Sequence, residues 1–264
     1  MVWAQKNSLC LNPAKSKYLI CGSVNQIRQL NPITPVIMNG APIERVYVAR
    51  NLGLLLDCNL RFHEHITSLV NNSFYRLKIL YRARPYLSTE MRIRLVESLV
   101  LSKLNYTDVV YGPRLASGTK RLVQRAQNAC ARFCFDILPR SHVTPFLNEH
   151  SMLKMRHRRK LHLACLLFGV LKHREPVYLY EKLSRTTSLR SCGSRQCSAQ
   201  LAVEKHHTAS FRGSFRYSAT KCWNNIPPPI RNLNSLASFK KQLKIFLLHE
   251  QKAQENLRQD ISVI

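Results

Sequence analysis

The sequence is short of acid. It carries 14 Asp and Glu against 41 Lys and Arg, a formal charge of +27 at neutral pH. The Asp residues number four, at positions 57, 108, 136 and 260, and no two are adjacent. Self-repulsion on that scale is normally relieved by a polyanion, with nucleic acid the first candidate and an anionic membrane surface the second. A long apolar run is also missing. The longest, Leu161 to Leu171, falls well short of the roughly 20 residues that span a bilayer, and Lys172 follows it, so it reads as a buried helix. Paired cysteine spacing is absent as well: nine Cys stand singly, which suits reduced thiols and, for most of them, small buried side chains. The opening MVWAQKNSLC turns polar within a few residues, without the basic-then-apolar form of an export leader. The expectation is an intracellular protein, cytoplasmic or nuclear, with no membrane partner.

What is present is enough for a core. The chain has 264 residues and 45% hydrophobic content, room for one large domain or two small ones. Up to about Asp57 the pattern is β-rich. KYLICGS (residues 17–23) is strand-like, Asn39-Gly40 joins two short strands as a hairpin signal, and LGLLLD gives a further strand. The period then becomes helical. Between His63 and Arg84 the residues Ile66, Leu69, Val70, Phe74, Leu77, Leu80 and Tyr81 share a face, with Arg76, Lys78, Arg82 and Arg84 off it. Pro85 stops that helix, Ser88 or Thr89 caps the next, which runs to about Tyr106, and a third spans Ser117 to Phe135. In the third helix Leu122, Ala126, Ala129, Cys130 and Phe133 point inward, and Lys120, Arg121, Arg125 and Arg132 outward. Three such antiparallel helices form a compact bundle. LPRSH (138–142) separates it from a second helical stretch, HSMLKMRHRRKLHLACLLFGVLKH, which begins basic and becomes apolar nearly all round. A Ser/Arg/Gln-rich segment from about 183 to 213 reads as a long loop with short elements. Order resumes with an elbow at Pro227 to Pro229 and a last amphipathic helix marked by Leu236, Phe239, Leu243, Phe246 and Leu247.

Four local patterns in this order resemble the C-terminal half of a reverse transcriptase of the non-LTR (LINE-type) retrotransposons, most like the jockey group. Leu11-Asn12-Pro13-Ala14-Lys15-Ser16 matches the family's polymerase motif D, and Leu52-Gly53 through Asp57, with LRFHEHI after it, matches the primer-grip region. Leu138-Pro139 and His142-Val143 match the segment beyond the helical thumb. Ser214-Phe215, Trp223-Asn224, Ile226-Pro227, Ile230-Arg231 and Phe239-Lys240 match a late motif. The resemblance implies an α+β fold, predominantly helical: a small antiparallel β palm remnant over 1–60, a helical thumb over 61–140 and a second mostly helical domain over 141–264. It implies RNA template and DNA primer as partners, and Mg²⁺ as the cofactor of the full-length polymerase. Two metal ions there need a set of Asp ligands. The family places them upstream of motif D, where this sequence has no Asp. The expectation is therefore a portion of the enzyme that has no catalytic residue or metal of its own and does not polymerise DNA alone. The alternative is a basic RNA- or DNA-binding module domesticated from such an element.

Each candidate residue has a plainer reading beside it. Lys15 matches the motif D lysine, which the resemblance implies approaches the nucleotide phosphates and acts as a general acid; it can equally be a solvated loop lysine. Leu52 and Gly53 either turn the backbone against a nucleic-acid strand or mark a β-bulge. The basic flanks Arg76, Lys78, Arg82, Arg84, Arg92, Arg94, Lys120, Arg121 and Arg125 resemble a thumb surface that tracks a duplex through its phosphates, a role that positions without reading sequence. RHRRK (156–160) is a short basic cluster readable as an import signal or an RNA contact. Cys192, Cys197, His206, His207 and Cys222 raise a zinc site, but C-x4-C with distant partners is a poor match to a compact finger.

Overall fold

The computed structural model describes residues 6–8, 10, 12–30, 35–38, 40–184, 200–205 and 208–262. The fold is α+β and 65% helical, and the chain divides into two compact units, Met1–His65 and Ile66–Ile264.

Among the described residues of the first unit six short strands form three pairs: β1 (Lys17–Tyr18), β2 (Ile37–Met38), β3 (Ala41–Pro42), β4 (Glu44–Arg45), β5 (Val48–Asn51) and β6 (Leu54–Asp57). The sequence leads to an antiparallel set, and the pairs β2–β3 and β5–β6 are antiparallel. The pair β1–β4 is parallel, with Lys17 opposite Glu44. Parallel partners need a long crossover, and residues 19–43 supply it. That crossover holds a short helix, α1 (Val24–Gln29), where the periodicity shows none. Its start is a capping box: the Ser23 hydroxyl accepts from the Gln26 amide at 3.3 Å and Gln26 Oε1 accepts from the Ser23 amide at 3.0 Å. Of the Asn39-Gly40 turn, Asn39 lies outside the described residues, and Gly40 has φ +77°.

The second unit is built from helices. From Ile66 onward, α2 (His63–Ala83) buries Ile66, Val70, Ser73 and Leu77, a stripe narrower than the sequence predicts. Phe74 and Tyr81 stand exposed, and the polar Ser73 takes a buried place, donating its hydroxyl to the Leu69 carbonyl at 2.8 Å. The expected continuous second helix is interrupted. It runs as α3 (Thr89–Val96), then a π-helical segment (Glu97–Leu101), then α4 (Ser102–Asn105). Ser98 and Ser102 bond back to the carbonyls of Arg94 and Ser98, the kind of competition that loosens an α-helical ladder.

After a short α5 (Asp108–Tyr111) comes α6 (Ser117–Phe135), which buries Val123, Gln127, Cys130 and Phe133. There follow α7 (Thr144–Glu149), α8 (Met155–His173), α9 (Val177–Ser184), α10 (Ala209–Arg212), α11 (Phe215–Asn224), α12 (Pro228–Arg231) and α13 (Leu236–Ser262). The expected long loop from 183 to 213 lies mostly outside the described residues.

The core around α8 explains the late motif. Ser214 caps α11 by accepting from the Tyr217 amide at 3.3 Å. Trp223 and Phe239 are buried and stacked at 6.0 Å, and Phe168 stacks on Phe239 at 4.5 Å. Asn224 holds the Leu201 backbone from both sides, accepting at 2.9 Å and donating at 2.6 Å. Ser214, Trp223, Asn224 and Phe239 of the pattern thus have a packing or capping duty. Phe239→Ala removes the ring that both aromatics meet, with a loss of about 3–5 kcal/mol of stability expected. Urea unfolding monitored by circular dichroism measures it.

Candidate nucleic-acid interface

The predicted basic residues fall into three structural situations. On α2, Tyr75, Lys78, Ile79 and Arg82 sit at i, i+3, i+4 and i+7, one outward face. All four are exposed, Tyr75 by 65%. Lys78 and Arg82 form no ion pair among the described residues. On α6, Arg121 and Arg125 are likewise exposed one turn apart, beside Lys120.

Arg84 and Arg92 are held inside the fold. The Arg84 Nε and Nη2 donate to the carbonyls of Phe133 and Arg132 at 3.1 and 3.2 Å, and Arg92 Nη1 donates to the Cys134 carbonyl at 3.4 Å. Both also pair with Asp136, which ends α6 in the left-handed conformation. The two guanidinium groups therefore satisfy the open carbonyls of a helix C-terminus and meet its negative dipole end. The carboxyl of Asp136 is held below its usual range by its hydrogen bond from Arg92 and the charge of Arg84 beside it. Arg76 donates to the Leu99 carbonyl at 3.2 Å, and Arg94 pairs with Glu90 one turn earlier at 2.6 Å.

In the first unit, Lys15 closes a 3-10 turn, Pro13–Lys15, whose start is capped by Asn12 Oδ1 accepting from the Ala14 and Lys15 amides. Proline at the first helical position fits that cap. The Lys15 side chain is exposed. Leu52 and Gly53 are the two-residue turn between β5 and β6, with φ +47° and +83°. The register has no extra residue, so Gly53 is a turn glycine where a bulge was one of two readings.

RHRRK opens α8 and fans out around it. His157 is fully buried, Arg158 forks onto Glu97 at 3.0 and 2.9 Å, and Lys160 pairs with Glu250 at 2.6 Å. Arg156 and Arg159 line a cleft of about 780 Å³ together with Lys120, Arg121 and Lys221. In the sequence Arg159 stands out only as one member of RHRRK, and Lys221 does not stand out at all. A basic run marks a helix start, but nothing local says which member turns inward.

The α8 start is capped from afar. Gln124 Oε1 and Gln127 Oε1 accept from the Met155 amide at 3.1 and 3.0 Å, and Gln251 Oε1 accepts from the Lys154 amide at 2.8 Å. The same Gln251 oxygen lies 3.1 Å from His157 Nδ1, which assigns the ring proton to Nδ1. Burial, with the charge of Arg156 added, lowers the His157 pKa from the usual 6.5 to about 4.

Three of the four Asp carboxylates are engaged within the fold. Asp57 accepts from the amides of Phe62 and Arg61 at 2.7 and 3.0 Å, and Asp108 meets His162 Nδ1 at 2.7 Å. Among the described residues no three His, Cys, Asp or Glu come together as a metal group. Cys192, Cys197, His206 and His207 lie outside the described residues. Cys222 places its thiol 3.7 Å from the Lys160 carbonyl, and burial pushes the thiol up to about 11. Among the described residues no helix is long and apolar enough to cross a membrane.

Comparison with known proteins adds one likeness. The chain is 30% identical over 115 residues to the RNA-directed DNA polymerase from mobile element jockey of Drosophila funebris. The match covers 42% of this chain and 12% of that protein's length, and it supports a distant, partial relationship to a reverse transcriptase. No family model matches the chain, and no solved structure matches it.

The buried histidine makes stability depend on pH. Its folded pKa lies below the unfolded one, so the unfolded chain binds the proton more tightly, and stability is lost as pH falls from about 6.5 to about 4. The expected loss is on the order of 3 kcal/mol. Glu250, whose carboxyl is held down by its hydrogen bond from Lys160 against the opposing effect of burial, adds to the loss at the acid end. Urea unfolding at a series of pH values should show this slope in the wild type and a shallower one in His157→Gln.

Proposed function

We propose that this chain is a nucleic-acid-binding portion of a non-LTR retrotransposon reverse transcriptase, which holds an RNA template and DNA primer through their phosphates. One observation carries the reading. The outward face of α2 sets Lys78 and Arg82, both exposed and without an ion pair among the described residues, beside exposed Tyr75 and Ile79. Cations at one-turn spacing follow a phosphate backbone, and an adjacent aromatic ring adds a stacking surface. The partial likeness to the jockey polymerase supports the same partners, and the charge of +27 supports binding that falls with salt. Lys120, Arg121 and Arg125 extend the basic surface, whereas Arg84 and Arg92 serve as a scaffold beneath it.

Polymerisation then depends on Asp ligands and Mg²⁺ held by residues outside this chain. The carboxylates of Asp57, Asp108 and Asp136 are each engaged within the fold. That observation also favours a second reading, a non-catalytic binding module derived from the same kind of element.

The test is fluorescence-anisotropy binding of a short RNA·DNA hybrid across a salt series. Affinity should fall steeply with salt, and Lys78→Gln and Arg82→Gln should each reduce the slope of log K against log salt by about 1. A hybrid that fails to bind at low salt, or slopes that ignore both substitutions, would refute the proposal. Primer extension with Mg²⁺ and this chain alone should give no product.

A further inference from the structure

The cleft beside the start of α8 holds an unusual guanidinium. Arg159 reaches it from α8, with its guanidinium carbon 5.9 Å from the centre of the Tyr111 ring. Its Nε and Nη2 are buried and have no hydrogen-bond partner. It makes no ion pair among the described residues, in contrast to Arg158 next to it, which is forked onto Glu97. Buried donors without acceptors are rare and costly, and a planar guanidinium is shaped for an oxyanion. The fold also makes room for this side chain. A Cβ added at Gly112 would lie 3.0 Å from the Arg159 Cδ, so the neighbouring helix end carries glycine where the stem passes.

The remaining lining has two characters. Lys120, Arg121 and Lys221 add positive charge. The acidic members are Glu250, which is paired with Lys160, and Asp108, whose Oδ2 meets His162 while its Oδ1 is buried without a hydrogen-bond partner. Neither forms an ion pair with Arg159, Lys120 or Arg121. The rest mixes polar side chains, Gln124, Asn128 and Asn225 among them, with an apolar wall that includes Leu163, Leu243, Phe246 and Leu247. A volume of about 780 Å³ lies within the size range of small-ligand sites, in which a mostly apolar wall carries a few convergent polar groups.

We propose that this cleft binds a nucleotide unit, with the phosphate on Arg159, Lys120 and Arg121 and the base against the apolar wall of Leu163, Phe246 and Leu247. A bare polyphosphate would leave that wall unused, and an apolar ligand would leave the Arg159 donors unmet. The site goes beyond duplex tracking by the outward face of α2 and stands or falls separately from it. The ligand is either a free nucleotide or a nucleotide at the end of a strand.

Calorimetric titration of the full chain with dATP at 0.15 M salt tests the site. One saturable site is expected, at least about tenfold tighter than for inorganic tripolyphosphate. Arg159→Gln should weaken dATP binding by about tenfold or more. Lys120→Gln, an exposed position that leaves the fold intact, should weaken it by a smaller factor. Lys241→Gln, an exposed charge elsewhere on α13, should change nothing. Competition by a 5′-phosphorylated dodecanucleotide and not by its 5′-hydroxyl form would assign the ligand to a strand end. Competition by neither would assign it to free nucleotide. The inference is overturned by absence of saturation, by tripolyphosphate binding as tightly as dATP, or by unchanged binding in both Arg159→Gln and Lys120→Gln. Loss of hybrid binding with dATP binding kept would remove the duplex reading alone.

Discussion

The first amides of α8 are buried, and their acceptors come from helices distant in sequence. A helix start leaves several N–H groups open, and a buried one without partners is strongly destabilising. Here Gln124 and Gln127 from α6 and Gln251 from α13 take them, so three helices are fixed in register at one point. Gln127 also donates to the Leu153 carbonyl at 2.8 Å, and Gln251 donates to Asn148 and Met152. Both glutamines are thereby used on both sides of the amide. Everything at the basic run follows from this anchor. Successive residues turn about 100° around a helix, so positions 157 to 160 face in turn the Gln251 carbonyl, Glu97, the cleft and Glu250.

Scarcity of acid shapes the rest. Five basic groups that burial would otherwise penalise are set against four of the carboxylates. Glu97 takes Arg158, Glu250 takes Lys160, Glu255 takes Lys154, and Asp136 takes Arg84 and Arg92. Leaving a partly buried cation unpaired is far more damaging than losing a pair at the surface. With these four acids used inside the architecture, exposed cations such as Lys78, Arg82 and Arg125 form no ion pair among the described residues. The positive exterior is thus a consequence of where the few carboxylates are needed, as well as of their number.

Local rules made much of the fold legible. The helical period placed α2, α6, α8 and α13, and the turn at 52–53 and the Ser214 cap follow from short-range chemistry. What escaped was set by contacts remote in sequence or by polar groups standing where apolar ones are expected. The β1–β4 pair depends on a crossover, and α1 is too short and too polar to show a helical period, its signal being a Ser–Gln capping box. α13 runs to Ser262, past the last apolar residue used to mark it, because Gln251 is drawn inward by hydrogen bonds. For the candidate interface, residue type and exposure along α2 gave Lys78 and Arg82. The scaffold role of Arg84 and Arg92 was invisible, since it depends on where the end of α6 lies, some forty residues later. Arg159 was one basic letter among several until the helix phase and Gly112 gave it a place.

The tip of the β5–β6 hairpin has its own bearing on how the chain can change. Leu52 holds a left-handed backbone, φ +47°, and is 84% exposed. Asn or Gly suits that position better on both conformational and solvation grounds, and the other hairpin signal of the same unit uses Asn-Gly. Selection for a sturdier fold would therefore replace this leucine readily, whereas selection for an apolar contact at the tip would keep it. Position 52 is where those two pressures pull in opposite directions.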